Sequence, residues 1–271
     1  MRRRHPGKLP RRPRRRPRDP GRPRRGIFLL PSLFTVGNML AGFAAVLHAF
    51  DGRLALASWL IILAGILDGL DGRVARLTGA TSEFGKEYDS LADVVSFGVA
   101  PAILAYQWGF QELGRWGWAV AFLYLVAGSV RLARFNVRVA HEDRRFFTGL
   151  PIPGGAGAVA LLVLLRPEVV RGSLLSTAAW LFVLLVALLM VSTVPYRSYK
   201  DFNPRERLPA AAFFVLAIVV AVIVTSPVPV MAAILGTYLV SGPAEVVFRW
   251  FSRGSQPQPE TAGRTRSDDR D

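Results

Sequence analysis

Long apolar blocks separated by short polar stretches run through this chain from residue 31 to residue 250. A helix needs about 20 mostly apolar residues to cross a bilayer. The blocks that suggest spans are 31–50, 54–76, 88–109, 117–138, 152–166, 174–195, 208–226 and 229–250. The fifth is short and opens on Leu150-Pro151-Ile152-Pro153-Gly154-Gly155. The pattern predicts an all-α integral membrane protein of about eight transmembrane helices, with both termini on one side. A membrane domain over 27–251 would sit between two polar tails, 1–26 and 252–271.

Charge sharpens that picture. The net charge is +15, yet 51% of the residues are hydrophobic and the mean hydropathy is +0.32. A soluble domain this basic would be more polar, so the charge must lie in tails and loops around an apolar body. With the N-terminus in the cytoplasm, the loops on the far side hold only Arg53, Arg115, Arg166 and Arg171 of the 34 Lys and Arg residues. The rest fall in tails, at span ends, or in near-side loops such as 141–147 and 196–207. This is the positive-inside asymmetry, and it predicts cytoplasmic termini in a cell membrane protein.

The first 26 residues are rich in Arg and Pro and read as a disordered tail that touches anionic lipid. No aromatic residue interleaves those arginines to stack on bases, so nucleic acid is not expected as a partner. The apolar stretch after Arg25 is too long for a signal-peptide core. With no cysteine in the chain, thiolate metal sites, disulfides and thiol nucleophiles are excluded. Trp108, Trp116 and Trp118 read as an aromatic belt. His48 reads as an interface residue and His141 as part of a solvated turn, neither with a metal partner at useful spacing.

The chemistry concentrates in one stretch. Asp68 and Asp71 sit at i, i+3 near the end of the second block, and Asp89 and Asp93 at i, i+4 at the start of the third. Each pair therefore shares a helical face. The short connection makes the two helices antiparallel neighbours, so four carboxylates converge near one membrane boundary. Salt bridges to Arg73, Arg76 and Lys86 would account for one or two of them. A divalent cation, Mg²⁺ or Mn²⁺, would account for all four and share its remaining sites with phosphate. Gly72 and Gly85 would let a bulky ligand approach the backbone; helix packing through small residues is the other reading.

The run Asp68-x-x-Asp71-Gly72-x-x-Ala75-Arg76, then eight residues, then Gly85-x-x-x-Asp89-x-x-x-Asp93 resembles the motif of the CDP-alcohol phosphotransferase family at every fixed position. The resemblance implies a six-helix-type core and the transfer of a phosphatidyl group from a CDP-linked lipid. It further implies two divalent metals on Asp68, Asp71 and Asp89, with Asp93 adding to the set and serving as general base. Gly72, Ala75, Arg76 and Gly85 would line the nucleotide side, and a homodimer is implied.

Three further stretches, Ser90 to Pro101, Arg131 to Asn136 and Phe147 to Pro153, are similar to membrane-embedded phosphatidylserine synthases, as is the opening Pro31 to Asn38. That similarity implies CDP-diacylglycerol and L-serine as substrates; glycerol 3-phosphate and inositol phosphate are the alternative acceptors. Arg131 and Arg134 would suit an anionic acceptor group or mark the membrane boundary by snorkelling. Ser96, Asn38 and Thr35 are polar at a similar depth, as acceptor ligands or as helix-to-helix hydrogen bonds. A transporter with a carboxylate relay is the rival class. Such sites lie near the bilayer midplane between structural repeats, whereas these acids crowd one boundary and no repeat is visible.

Overall fold

The computed structural model describes residues 29–79, 82–139, 146–170, 172–197, 221–222 and 224–253. The expected N-terminal tail, His141, most of the 208–226 span and all but the first residues of the C-terminal tail lie outside the described residues. Seven helices organise the rest: α1 Leu29–Phe50, α2 Leu54–Thr78, α3 Glu83–Leu113, α4 Arg115–Val139, α5 Ile152–Leu165, α6 Ser173–Val191 and α7 Pro227–Arg253. Six of them are long and apolar enough to cross a membrane, α5 being the shorter exception. The protein is thus a helical, multi-pass membrane protein.

α1 and α2 form the most extensively packed pair. The turn between them closes on Gly52 at φ +75°, where Arg53 N–H bonds back to the His48 carbonyl at 2.9 Å, a six-to-one helix closure that favours glycine. The seam is built of small side chains: Ala41, Ala45 and Ala49 on α1, and Ala57, Ser58 and Ala64 on α2, are all buried. Lipid tails are as apolar as a leucine, so close van der Waals approach through small residues must hold such helices together. α5 is almost wholly buried and packs against α2 and α7, while α4 lies along α6.

α3 is irregular in a way that shapes the site. It changes to π-helix over Val94–Val99 and again over Tyr106–Phe110, then ends in a 3-10 turn. Pro101 lies just beyond the first π segment and has no N–H to donate to the Phe97 carbonyl one turn back. The buried Tyr124 hydroxyl of α4 donates to that carbonyl instead, at 3.2 Å. Disrupted ladders of this kind often accompany π turns.

Two three-residue strands, β1 Phe146–Thr148 and β2 Pro195–Arg197, pair antiparallel and join the α4–α5 and α6–α7 connections. Gly149 follows β1 at φ +82°, and a Cβ there would stand 2.5 Å from the Met190 carbonyl oxygen. No other residue fits that place without displacing α6. One expectation needs correction. Trp108 is 2% exposed and donates to the Arg166 carbonyl at 2.8 Å, so it is a core residue. Trp116 and Trp118, at 62% and 59% exposed, keep the surface position. The end of α3 that carries Trp108 packs against α4, α6 and α1, contacts that an apolar block cannot reveal.

Candidate active site

Asp68 and Asp71 lie on the last turns of α2, and Asp89 and Asp93 on the first turns of α3. α2 stops at Gly79 in a left-handed cap, and α3 starts at Ser82, whose hydroxyl accepts the Gly85 N–H at 3.0 Å. That N-cap fixes where the third helix begins, and thus the level at which Asp89 and Asp93 meet α2. One carboxylate oxygen from each of Asp68, Asp89 and Asp93 falls within 4.8 Å of the others. Asp71 stands beside this group, buried, with its Oδ2 accepting a hydrogen bond from Thr35 of α1.

Asp93 is also buried and accepts from Asn38 Nδ2 at 3.2 Å. The main-chain carbonyl of Asn38 accepts from Ser96 Oγ at 2.9 Å. α1 approaches very closely here: a Cβ on Gly42 would lie 2.6 Å from Ser96 Cα. A further tie, Asn136 Nδ2 to Ser90 Oγ at 2.8 Å, joins α4 to the start of α3. Sequence reasoning left Asn136 without a role of its own, and its only visible signal was a polar residue within an apolar helix.

Among the described residues, no Lys or Arg nitrogen lies within 4.0 Å of any of the four carboxylates; an ion pair of that length, His48–Asp51, lies elsewhere. Arg73, Arg76 and Lys86 are exposed, and the Arg76 guanidinium lies by Gly72 on its own helix. The salt-bridge account of the cluster therefore finds no support. Asp89 Oδ1 is buried with no hydrogen-bond partner. Buried carboxylates left this way carry a large desolvation cost unless a cation joins them. All-oxygen, acidic donors suit a hard divalent ion, so the residues fit such a metal.

Around this centre the other expected residues separate. Ala75 is half-buried and Gly85 serves the Ser82 cap. Arg131 is 7% exposed, lies over the Phe135 ring at 5.2 Å and has no carboxylate within 4.0 Å among the described residues. Arg134 donates from Nη1 to the Val191 carbonyl at 3.1 Å, closing the end of α6. Ser96 and Asn38 are fully buried and engage each other.

The same span of chain carries the family assignment. The model of the CDP-alcohol phosphatidyltransferase family matches residues 28–192. The chain belongs to the CDP-alcohol phosphatidyltransferase family. Its relatives include a CDP-diacylglycerol–serine O-phosphatidyltransferase of Helicobacter pylori, 38% identical over 227 residues that cover 83% of this chain and 92% of the relative. The enzyme of that name from Mycobacterium tuberculosis is 38% identical over 248 residues, covering 86% and 84%. An archaetidylserine synthase of Methanothermobacter thermautotrophicus is 38% identical over 169 residues, covering 62% and 69%. The family match takes in α1 to α6, and with them all four carboxylates and their α1 partners.

Proposed function

We propose that this phosphatidyltransferase moves the phosphatidyl group of CDP-diacylglycerol to the hydroxyl of L-serine, giving phosphatidylserine and CMP. The observation that carries the reading is the carboxylate group of Asp68, Asp89 and Asp93, gathered within 4.8 Å with no basic nitrogen within 4.0 Å among the described residues. The names of the relatives support CDP-diacylglycerol as donor and serine as acceptor.

Asp68, Asp71 and Asp89, with a share from Asp93, would hold two divalent cations, Mg²⁺ or Mn²⁺. Bound there, such ions supply positive charge to a diphosphate and its departing phosphate. Gly72, Ala75, Arg76 and Gly85 lie along the same helix ends and would face the nucleotide. The serine oxygen forms a bond to the lipid-side phosphorus, the bond from that phosphorus to the CMP oxygen breaks, and the serine hydroxyl proton passes to Asp93. A base must stand within hydrogen-bond reach of that hydroxyl, and Asp93 lies one helical turn beyond Asp89. Arg131, a buried cation with no carboxylate within 4.0 Å among the described residues and with the charge of Asp93 nearby, would receive the serine carboxylate.

The basic asymmetry of the loops supports a cytoplasmic site in the cell membrane, and the protein acts as a homodimer in this reading. Labelling that reaches the 196–207 loop from the outer side would overturn the orientation. The acceptor is tested by a panel: purified protein, CDP-diacylglycerol, Mn²⁺ or Mg²⁺, and serine, glycerol 3-phosphate or inositol phosphate in turn. Serine-dependent CMP release is expected. Release with a phosphorylated alcohol and not with serine would reassign the acceptor, and no release with any would remove the activity.

A further inference from the structure

We propose that Asn38 of α1 is the positioning residue that fixes Asp93 for proton transfer, and that Ser96 holds Asn38 in place. The inference rests on the reading of Asp93 as the base.

Asn38 is 0% exposed. A buried amide is costly unless its polar atoms are bonded, and this one spends its donor on Asp93 Oδ1 while its own Oδ1 has no partner. An apolar side chain of equal volume would fill the same space without that cost. Packing alone therefore does not account for an asparagine here, whereas a hydrogen bond to a carboxylate does. The bond engages one oxygen of Asp93; among the described residues nothing in the protein donates to Oδ2. Asp93 keeps that oxygen for the incoming hydroxyl.

The local backbone explains why a tether is needed. Asp93 is the last residue of regular α-helix before the π segment Val94–Val99. The ladder that orients a side chain by helical repeat changes pitch directly after it, so α3 alone sets its direction weakly. α1 supplies the missing constraint twice, through the side-chain amide of Asn38 and through its main-chain carbonyl, which takes the Ser96 hydroxyl at 2.9 Å. The close approach at Gly42 leaves no slack between the two helices at this level. Together the contacts form a short chain, Ser96 to Asn38 to Asp93, which crosses from α3 to α1 and back.

The test uses full-length protein in detergent with CDP-diacylglycerol, serine and Mn²⁺. Asn38→Leu keeps the volume and removes the donor. Its kcat should fall about 10–100-fold, the usual scale for losing a partner that orients an active group. The KM values for both substrates and the half-saturating Mn²⁺ concentration should stay as in the wild type. Ser96→Ala should give a smaller fall in kcat with the same constancy of KM. Combined with Asn38→Leu it should add nothing, because both act through one contact. An unchanged kcat in Asn38→Leu, additive losses, or losses shared equally by KM and metal affinity would each overturn the proposal. If Asn38→Leu does not fold, Ser96→Ala decides alone: lower kcat at constant KM sustains the tether, and unchanged kcat removes it. Asp93→Asn separates the two levels. If that variant turns over normally, the base reading itself fails; if it is inactive while Asn38→Leu is normal, only the tether fails.

Discussion

Two stretches of α2 share one helix and behave differently. Through its first part Leu54, Ala57, Ser58, Ile61 and Ala64 are all buried against neighbouring helices. From Asp68 onward only Asp71 is buried, and Gly69, Leu70, Arg73, Arg76 and Leu77 are exposed. The first stretch is fold: small side chains in close contact, with nothing polar beyond a serine bonded to its own helix. The second is chemistry, two carboxylates, Asp68 and Asp71, gathered with Asp89 and Asp93 of the next helix, at an end where packing is sparse. Like charges at this range repel, so the protein carries them against its own stability. Stability and activity should then separate along a single helix.

The largest effect comes from the carboxylates. Asp68→Asn or Asp89→Asn should leave no measurable turnover with any acceptor, while the thermal midpoint in chelator rises because a repulsive charge is gone. A fall in that midpoint would mean that the cluster also holds the fold, and the contrast would break. Asp93→Asn comes next. It keeps size and polarity, so CDP-lipid binding in the presence of metal should survive while turnover drops by about 10²–10⁴-fold, the range for a positioned base. Loss of CDP-lipid and metal affinity alongside the rate would make Asp93 a ligand first.

A pair of arginines one helical turn apart sharpens the boundary of the site. Arg131→Ala should raise the KM for serine by about 10–100-fold, the loss of a charge-assisted hydrogen bond. Arg134→Ala should leave that KM alone, because its guanidinium already serves the end of α6. Equal effects at both positions would return them to a general electrostatic role. Smallest in activity is the seam. Ala57→Leu overfills the close contact and should cost about 1–3 kcal/mol of stability, with kcat per folded molecule unchanged. A specific loss of kcat there would show that the seam and the site are coupled.

Much of this was legible in the sequence because two strong signals did not depend on tertiary detail. Apolar block length marked the long helices, and the i, i+3 and i, i+4 spacing put the aspartates on facing turns. What escaped has one physical cause: it depends on contacts between residues far apart in the chain. The bond from Asn38 to Asp93 links positions 55 residues apart, and nothing local to either announces it. The burial of Trp108 follows from its contact with Arg166, not from its place at the end of an apolar block. The π turns of α3 lay between these cases. Pro101 marks a break in the helical ladder, but which donor would repair it, Tyr124, was settled only by how α4 packs. The β1–β2 pair joins two connections whose residues show no strand period. α3 also begins at Glu83 rather than at 88, because the Ser82 cap starts the helix in polar residues that an apolar count passes over.

The central claim is that the carboxylate group is a divalent-cation site, and Mn²⁺ binding without substrate tests it most directly. Chelator-stripped protein, titrated with Mn²⁺ and followed by calorimetry or by the loss of the free-ion paramagnetic resonance signal, should show saturable binding in the wild type. Asp89→Asn should abolish or sharply weaken it, since it removes a charge from a site of acidic oxygens alone. Absence of saturable binding in the wild type, or undiminished binding in Asp89→Asn, would contradict the account.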